Sequence, residues 1–487
     1  MSKDKESSGL PEHLQSLLAG SEDLVREKLE GTQRHITKGR FGRAFKLSKL
    51  AAKSGTKLLA QKAKEKISNT TKKAAQEVTH RALALEMLET FSEMRGVAMK
   101  MGQMLSYLDG LLPPEAQKML TVLQRDAPPI EWSEVRKQFI SELGKAPEEC
   151  FAEFDQTPLA AASIGQVHRA RLHDGTEVAV KIQYPGIAEA MQSDLKNAKV
   201  MSLFQRLFFF RTNVPAIMNE IEERLLDECD YQKEAAYQKA FRKRYESHPW
   251  IIVPRVHEEF STKKVLTTTY YEGLTFYQWL ETNPSTEDRN RAANLFYRFY
   301  MGSFYMDGLF NCDPHPGNYL FRPDKKIVFF DYGCTRKFPT ERRKLWIRLC
   351  EAIHADEEAE ITKVAQEVGF VLEGVDYDYQ SFRSLMRYLY QGYLVDENFD
   401  FKSFQPMTTF KEMFTNNPNV FKMDMPPDCV FLNRITFGMI SLVADMDGRV
   451  NCYQSSKSYF KGLDPHWPED PHRGNFESSP IDQAPWQ

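Results

Sequence analysis

The sequence predicts an α+β fold of two lobes, and three stretches of the chain carry that prediction. A tight Asp174-Gly175 turn precedes Glu177–Ile182, which indicates a hairpin whose second strand holds a lysine in a V-A-V-K frame. Residues 313–318 form an Asp-x-x-x-x-Asn loop, and a strand-like run then leads into Asp331-Tyr332-Gly333. A strand lysine, such a loop and an Asp-aromatic-Gly triplet, in that order, are parts of a bilobed protein-kinase-like fold.

The composition argues against several classes of protein. The 487 residues are 42% hydrophobic and 12% aromatic, which allows a large core. The net charge of -3 argues against a nucleic-acid partner, although 15 Lys and Arg residues lie between Arg26 and Lys73. Seven scattered cysteines without C-x-x-C spacing favour a reducing compartment over a disulfide framework or a zinc site.

We expect the chain to divide into five segments. They are a basic, partly amphipathic segment at 1–75, a helical extension at 76–150, an N-terminal lobe at 151–273, a C-terminal lobe at 274–460 and a disordered tail at 461–487. The tail prediction follows from its Pro-, Asp- and Ser-rich composition.

The basic segment is a candidate membrane contact. Within 40–75 an apolar stripe of Leu47, Leu50, Ala51 and Leu58 lies beside a basic stripe of Lys46, Lys49, Lys53 and Lys57. This helix could lie on an anionic membrane surface, or its charges could form the solvated face of a helix packed against the body. We predict no signal peptide and no transmembrane span.

Alanines stand where an ordinary kinase has its glycine-rich phosphate loop. The predicted nucleotide-binding loop consists of Ala160, Ala161, Ala162, Ser163 and Gly165. Because alanine stiffens a loop and adds methyl groups, we expect the nucleotide to be held differently than in a protein kinase. Lys181 is predicted to hold the α and β phosphates of ATP. Tyr271, near the end of the strand-like run 264–273, marks a hinge that would meet adenine.

The Asp-x-x-x-x-Asn loop and the triplet predict phosphoryl transfer. Asp313 would accept a proton from the attacking hydroxyl or orient it, while Asn318 and Asp331 would hold Mg²⁺ on the phosphates of ATP. The loop alone also fits a Pro/Gly turn capped by Asp and Asn, but the strand that feeds into Asp331 favours the catalytic interpretation. Only residues 334–339 precede the next helical pattern, and no A-P-E motif follows. A protein substrate is therefore disfavoured.

A helix predicted over about 215–245 carries a stripe of carboxylates. A kinase needs one helix carboxylate to fix the strand lysine, so we expect functional partners for Glu228, Asp230 and Glu234. The tetrapeptide Lys100-Met101-Gly102-Gln103 lies within a helical pattern over 79–109 and supplies a cation that needs an anion. By itself it equally fits a helix surface with a packing glycine.

These motifs together resemble the UbiB family of atypical kinases, also called aarF-domain-containing (ADCK) kinases, which are linked to coenzyme Q and other isoprenoid-lipid metabolism. Lys100–Gln103 resembles the KxGQ motif of that family, Ala160–His168 its alanine-rich loop, and Glu228-Cys229-Asp230 its ExD motif. The resemblance covers about 83–446.

The resemblance implies a role for each matching residue. Lys181 would pair with Glu234 and touch the phosphates, Asp313 would be the catalytic aspartate, and Asn318 and Asp331 would hold magnesium. Lys100 and Gln103 would fold over the site as regulatory residues and meet the carboxylates of Glu228 and Asp230. Members of the family resemble ATPases or small-molecule kinases that act at membranes.

The sequence departs from the family in two places. Asn311 stands two residues before Asp313, where family members usually carry His, and Tyr332 replaces Phe in the triplet. An amide at position 311 can still donate a hydrogen bond.

We therefore expect an enzyme that binds Mg-ATP and hydrolyses it or transfers phosphate to a small or lipid-like acceptor. It would be cytoplasmic, and peripheral on the inner face of a membrane if 40–75 binds lipid. One alternative is a catalytically weak nucleotide-binding regulator or lipid chaperone. Another is a soluble phosphotransferase of the aminoglycoside or choline type, which shares the loop but has no reason to carry the KxGQ and alanine-rich motifs. The sequence indicates no particular oligomeric state.

Overall fold

The structure is a computed structural model that describes residues 130–162, 164–195, 226–372, 374–404, 417–419, 422–423, 426–467 and 469. All of them belong to the unit that runs from Leu83 to Gln487. The helix predicted at 40–75, the residues Lys100 and Gln103, and Ser163 lie outside the described residues.

The helices and strands are numbered here in chain order. The N-terminal part contains α1 (Trp132–Leu143), α2 (Pro147–Cys150), β1 (Glu153–Phe154), β2 (Ala160–Ala162), β3 (Gly165–Arg171), β4 (Glu177–Gln183), α3 (Ile187–Leu195), α4 (Tyr231–Arg244), β5 (Ile251–Ile252) and β6 (Val265–Thr269). The C-terminal part contains α5 (Phe276–Glu281), α6 (Thr286–Tyr297), a π-helix (Arg298–Asp307), β7 (Leu309–Asn311), β8 (Tyr319–Phe321), β9 (Ile327–Phe329), β10 (Thr335–Lys337), α7 (Thr340–Ala355), α8 (Glu358–Val368), α9 (Tyr379–Leu389), α10 (Gln391–Leu394), β11 (Phe399–Asp400), α11 (Pro427–Asp445), β12 (Arg449–Val450) and α12 (Cys452–Phe460).

An antiparallel sheet forms the N-terminal lobe, with the strand order β1-β3-β4-β6 and β2 paired to β3. The predicted hairpin is confirmed, and Gly175 closes its turn with a φ of +88°, a conformation that favours glycine. Val180 and Ile182 of β4 are fully buried in a core that includes residues of α1. Because side chains alternate along a strand, Lys181 projects from the opposite face.

The acidic helix is interrupted where the sequence predicts it to be continuous. Residues 226–228 are helical, the chain turns at Cys229, and α4 begins at Tyr231. The Asp230 side chain accepts a hydrogen bond from the backbone N–H of Gln232 at 3.1 Å and caps α4. A short acidic side chain competes with the helix backbone in this way, so the prediction of an unbroken helix was wrong at this point.

The helix that begins at Thr286 changes type along its length. It runs as α6 to Tyr297 and continues as the π-helix from Arg298, which ends at Gly308 with a φ of +63°. Nearly the whole π-helix is buried. It leads directly into β7, whose last residue, Asn311, enters the predicted catalytic loop.

A buried ion pair fixes the end of α4 to the C-terminal lobe. The Arg244 guanidinium donates through Nε to Oδ1 of Asp307 at 2.9 Å, and both side chains are buried. A charge is tolerated in such a position only when it is paired. The helix that carries Glu234 is therefore held in place relative to the π-helix.

The beginning of the predicted disordered tail is folded, so that prediction was wrong for 461–467. The Asp464 carboxylate is buried and pairs with the buried Arg298 guanidinium. Trp467 is also buried, and its ring packs edge-on against His248 at 4.8 Å. The tail is polar in composition, but it contains Asp464, the counter-ion that the buried Arg298 requires.

Among the described residues, the larger hydrophobic core lies mainly in the C-terminal lobe and extends to Phe241 of α4. The helix α11 contributes Ile435, Met439 and Val443 to it. No helix within the described ranges is long and apolar enough to cross a bilayer.

Candidate active site

A lysine and a glutamate form a buried ion pair between β4 and α4. The Lys181 ammonium donates to both carboxylate oxygens of Glu234, at 2.8 and 2.9 Å. Their side chains are 18% and 6% exposed. The Tyr231 ring lies 4.9 Å from Lys181 Nζ, within the range of a cation–π contact. The structure therefore brings together the two residues that the sequence pairs.

The carboxylates around Lys181 determine its charge. Burial alone would lower the pKa of Lys181, but the carboxylates of Glu234 and Asp331 outweigh burial and raise that pKa. Burial raises the pKa of Glu234, and the Lys181 ammonium opposes that rise. The raised pKa favours the charged form of the Lys181 ammonium.

The Asp-Tyr-Gly triplet lies against this ion pair. The Asp331 Oδ1 atom accepts a hydrogen bond from the Gly333 N–H at 3.0 Å. A Cβ added to Gly333 would lie 3.3 Å from Glu234 Oε2 and 3.4 Å from Asp331 Oδ1, which places both carboxylates beside the triplet backbone. The buried Tyr332 hydroxyl donates to the Phe329 carbonyl at 2.9 Å and anchors the triplet.

Asn311 links the triplet to the catalytic loop. Its Oδ1 accepts a hydrogen bond from the Asp313 N–H at 2.8 Å, and its Nδ2 donates to the Asp331 carbonyl. The side chain is buried, so both contacts are protected from water. An amide with one donor and one acceptor thus organises the two loops at a position where the family usually has His.

The Asp-x-x-x-x-Asn loop closes on itself. Asn318 donates through Nδ2 to the Asp313 carbonyl at 3.0 Å and to Asp313 Oδ2 at 3.3 Å. His315 Nδ1 accepts from the Gly317 N–H at 3.1 Å, which shapes the turn between them. Through these contacts, the catalytic loop with Asp313 and Asn318 is joined to the backbone of the triplet, whose Gly333 lies beside the Lys181–Glu234 pair.

The side-chain oxygens of Asn318 and Asp331 are suitable ligands for a magnesium ion. Asn318 directs its amide nitrogen to Asp313, and Asp331 directs Oδ1 to Gly333. Among the described residues, none donates a hydrogen bond to Asn318 Oδ1 or Asp331 Oδ2. Two protein oxygens completed by phosphate oxygens and water are a usual arrangement for Mg²⁺.

The alanine-rich loop lies near Lys181. Ala160, Ala161 and Ala162 of β2 pair with Val167, Gln166 and Gly165 of β3, and Val167 in turn pairs with Lys181 of β4. A Cβ on Gly165 would lie 2.3 Å from the Ile182 carbonyl oxygen and 3.0 Å from the Tyr231 hydroxyl. Only glycine fits there, and it sets the end of the loop against the tyrosine that packs on Lys181.

Two predicted site residues, Tyr271 and Asp230, contact residues outside this site, whereas the charge of Glu228 contributes to raising the pKa of Glu234. The Tyr271 ring contacts the Arg322 guanidinium, which lies 5.7 Å from its centroid. Asp230 caps α4 and lies 3.9 Å from Lys263 Nζ, and Glu228 is buried. The regulatory contacts predicted for Glu228 and Asp230 involve Lys100 and Gln103, which are outside the described residues.

Sequence reasoning missed Arg434, which contacts the predicted catalytic aspartate. Its guanidinium donates through Nη2 to Asp313 Oδ1 at 2.6 Å. Arg434 lies on α11, inside the apolar run 430–446. An arginine in an apolar helix needs a buried counter-ion, and that was the available signal.

Comparisons with known proteins agree with a kinase-like fold. The ABC1 atypical kinase-like domain family matches residues 122–365, half of the chain. A solved structure of Rv3197 from Mycobacterium tuberculosis, in complex with erythromycin, is 28% identical with a TM-score of 0.56; the match covers 82% of this chain and 99% of that one. The kinase-like fold predicted from the sequence is therefore confirmed.

Curated relatives carry related names. AarF domain-containing protein kinase 1 of Xenopus laevis is 31% identical over 60% of this chain and 57% of its own length. ACTIVITY OF BC1 COMPLEX KINASE 7, chloroplastic, of Arabidopsis thaliana is 32% identical over 60% of this chain and 42% of its own length. Atypical kinase COQ8B, mitochondrial, of Rattus norvegicus is 30% identical over 70% of this chain and 65% of its own length. The chain thus spans less than two thirds of the length of each of these relatives. Because the family model matches half of the chain, the chain belongs to the ABC1/AarF family of atypical kinases.

Proposed function

We propose that the protein binds Mg-ATP and either hydrolyses it or transfers its γ-phosphate to a small or lipid-like acceptor. The observation that carries the proposal is that Asn311 joins the triplet to the catalytic loop of Asp313, while Gly333 of the triplet lies beside the Lys181–Glu234 pair. These contacts support a single site for a lysine cation, the side-chain oxygens of Asn318 and Asp331, and the Asp313 carboxylate, which are the groups that phosphoryl transfer requires.

Each residue has a place in the proposed reaction. Lys181, held by Glu234, would contact the α and β phosphates. Asn318 and Asp331 would hold Mg²⁺, which neutralises charge that develops on the phosphates. Asp313 would orient the acceptor hydroxyl or a water molecule in line with the γ-phosphate.

The short segment after the triplet supports a small acceptor. Only β10 and a few residues separate Gly333 from α7, and β10 pairs with β7 rather than extending outward. A protein kinase uses a longer segment here to bind an extended peptide. The small molecule named with the Rv3197 structure and the resemblance to a family linked to isoprenoid quinones favour the same class of acceptor.

Turnover of ATP tests the proposal. We expect Asp313→Asn to lower the rate by on the order of 10²- to 10⁴-fold while Mg-ATP binding persists. The control is Asp324→Asn, which removes an exposed carboxylate from the β8–β9 turn. Chelation of Mg²⁺ should abolish turnover in every variant.

The competing function is a nucleotide-binding regulator that transfers no phosphate. The contact between Arg434 and Asp313 favours it, because a guanidinium already occupies one oxygen of the carboxylate. Equal residual rates in wild-type protein and Asp313→Asn would leave only this role.

A peripheral membrane location also belongs to the proposal. We expect the full chain to co-sediment with anionic liposomes. Replacement of Lys46, Lys49, Lys53 and Lys57 by Glu should release the protein, because each basic residue close to the lipid contributes about 1 kcal/mol to binding. Unchanged sedimentation would favour the solvated-face interpretation of 40–75.

A further inference from the structure

The helix α11 approaches the catalytic loop more closely than a side chain would permit. A Cβ on Gly438 would lie 2.3 Å from Pro314 Cγ, so this contact depends on glycine. Arg434 lies one turn earlier and therefore on the same face of the helix. The N-terminal end of α11 is fixed separately, because Asp428 accepts hydrogen bonds from Arg342 and Trp346.

The Arg434 guanidinium spans two segments of the site. It donates to Asp313 Oδ1 at 2.6 Å, and its Nη1 lies 3.6 Å from the Cys334 sulfur, directly after the triplet. Its side chain is 5% exposed, and that of Asp313 is 14% exposed. A guanidinium is planar and keeps its charge across the working range of pH, so it holds a carboxylate in a fixed orientation.

The two oxygens of Asp313 have unequal partners. Among the residues that the structure describes, Arg434 makes the short contact with Oδ1, whereas the Asn318 amide makes a longer 3.3 Å contact with Oδ2. The amide that reaches Oδ2 belongs to a residue proposed to bind Mg²⁺. Oδ2 is therefore the oxygen nearer to the proposed metal and nucleotide.

We infer that Arg434 is a positioning residue for phosphoryl transfer, which holds Asp313 by Oδ1 so that Oδ2 meets the acceptor. The inference rests on the proposed function. In the reaction, the acceptor oxygen forms a bond to the γ-phosphorus, and the bond to the β,γ-bridging oxygen breaks with its electron pair remaining on ADP. The acceptor proton passes to Asp313 Oδ2 and then to solvent.

Four variants of the full chain test the inference: Arg434→Met, Arg434→Lys, Asp313→Asn and the double variant Arg434→Met with Asp313→Asn. We expect Arg434→Met to lower kcat by on the order of 10- to 100-fold, because a displacement of about 1 Å costs that much, while the Kd of Mg-ATP changes less than about twofold. Arg434→Lys should recover part of the rate, since it keeps the charge but not the planar fork.

The double variant separates positioning from mere structural support. If Arg434 acts through Asp313, Arg434→Met should cause no further loss in the Asp313→Asn background. A loss in the double variant equal to the product of the two single losses would overturn the inference. So would a kcat of Arg434→Met within about twofold of wild type.

A matched control addresses the anchoring of α11. Asp428→Asn weakens the contacts with Arg342 and Trp346 but lies away from Asp313, and we expect its kcat to stay close to wild type. A loss as large as that of Arg434→Met would mean that both variants act by loosening α11, and the inference would fail. Absence of Mg-ATP binding or turnover in wild-type protein would instead refute the proposed function.

Discussion

Two buried ion pairs lie at the candidate site, and they have opposite polarity. In the lysine pair, Lys181 and Glu234, the carboxylate holds the cation that is proposed to meet phosphates. In the arginine pair, Arg434 and Asp313, the guanidinium holds the carboxylate that is proposed to meet the acceptor. The partners are 53 residues apart in the first pair and 121 in the second. The comparison teaches that each lobe supplies a fixed counter-ion for one charged group of the proposed reaction.

The largest expected effect comes from breaking the lysine pair. Lys181→Met leaves the Glu234 carboxylate buried without its cation, which should lower the free energy of unfolding by about 3 to 5 kcal/mol. Mg-ATP affinity should fall on the order of 100-fold, whereas Arg434→Met should leave that affinity nearly unchanged. Urea unfolding and calorimetric titration measure the two quantities.

The control for this variant is Lys344→Met, which removes an exposed lysine paired with Glu341. It should leave both quantities near wild type. Equal nucleotide affinity in Lys181→Met and wild-type protein would remove the lysine pair from the nucleotide site.

A second test compares the two glycines that allow close contacts, one beside each pair. Gly165→Ala would place a methyl 2.3 Å from the backbone oxygen of Ile182, so we expect a loss of stability of about 3 kcal/mol and weaker Mg-ATP binding. Gly438→Ala would press on the Pro314 ring and should lower kcat with little change in nucleotide affinity. Parallel measurements of Kd and kcat separate the two effects.

Gly392→Ala is the matched control, because its nearest neighbour, Phe399, would lie at an ordinary 3.4 Å. Its stability and kinetics should stay close to wild type. If Gly438→Ala weakened nucleotide binding as strongly as Gly165→Ala, the assignment of nucleotide affinity to the N-terminal lobe and of kcat to the α11 contact would be wrong.

Asn311 joins the triplet to the catalytic loop, and Asn311→Asp tests that connection. A carboxylate can still accept from the Asp313 N–H but cannot donate to the Asp331 carbonyl, so we expect a loss of about 2 kcal/mol of stability. The rate should fall as well, because the catalytic loop and the triplet lose a shared contact. An unchanged rate in steady-state kinetics would show that the two loops are organised independently of this side chain.

The smallest effect is a pH dependence of stability that arises in the N-terminal sheet. Burial lowers the pKa of His168, whose Nδ1 lies 2.8 Å from the Asp155 carbonyl and whose Nε2 faces the Gln166 amide nitrogen. Below about pH 6.5 the unfolded chain binds a proton that the folded chain does not. Stability should therefore decline with falling pH, by at most about 1.4 kcal/mol per unit from this group.

Urea unfolding between pH 7.5 and pH 5.5 measures this decline. His168→Gln should make the decline of stability with pH less steep. The control is His173→Gln, which changes an exposed histidine and should leave the decline as in wild-type protein. The pKa of His257 and that of His466 are also lowered by burial, so part of the decline should persist. A steeper decline in His168→Gln would contradict the assignment.

The sequence allowed more of the lysine pair to be predicted than of the arginine pair. A hairpin with an Asp-Gly turn has a local signal, and a lysine on its second strand has one expected type of partner. Arg434 has no such signal beyond its charge, because its contact with Asp313 depends on how α11 packs against a loop 121 residues away. Tertiary packing, which no local pattern encodes, decides that contact.

Other differences have similar causes. The sequence identified Asn311 as a departure from the family but not its two hydrogen bonds, which depend on the placement of β7 beside the triplet. The break before α4 arises because Asp230 caps the helix, and acidic periodicity alone does not reveal a cap. The folded start of the tail depends on a distant buried arginine, Arg298, that needs Asp464.

A crystal structure of the protein with Mg²⁺ and a non-hydrolysable ATP analogue tests the central claim most directly. The account predicts phosphates beside Lys181, and a metal at about 2.0 to 2.1 Å from oxygens of Asn318 and Asp331. It also predicts Asp313 Oδ2 facing the γ-phosphate, with Oδ1 still held by Arg434. A nucleotide bound away from Lys181, or a metal that contacts neither Asn318 nor Asp331, would contradict it.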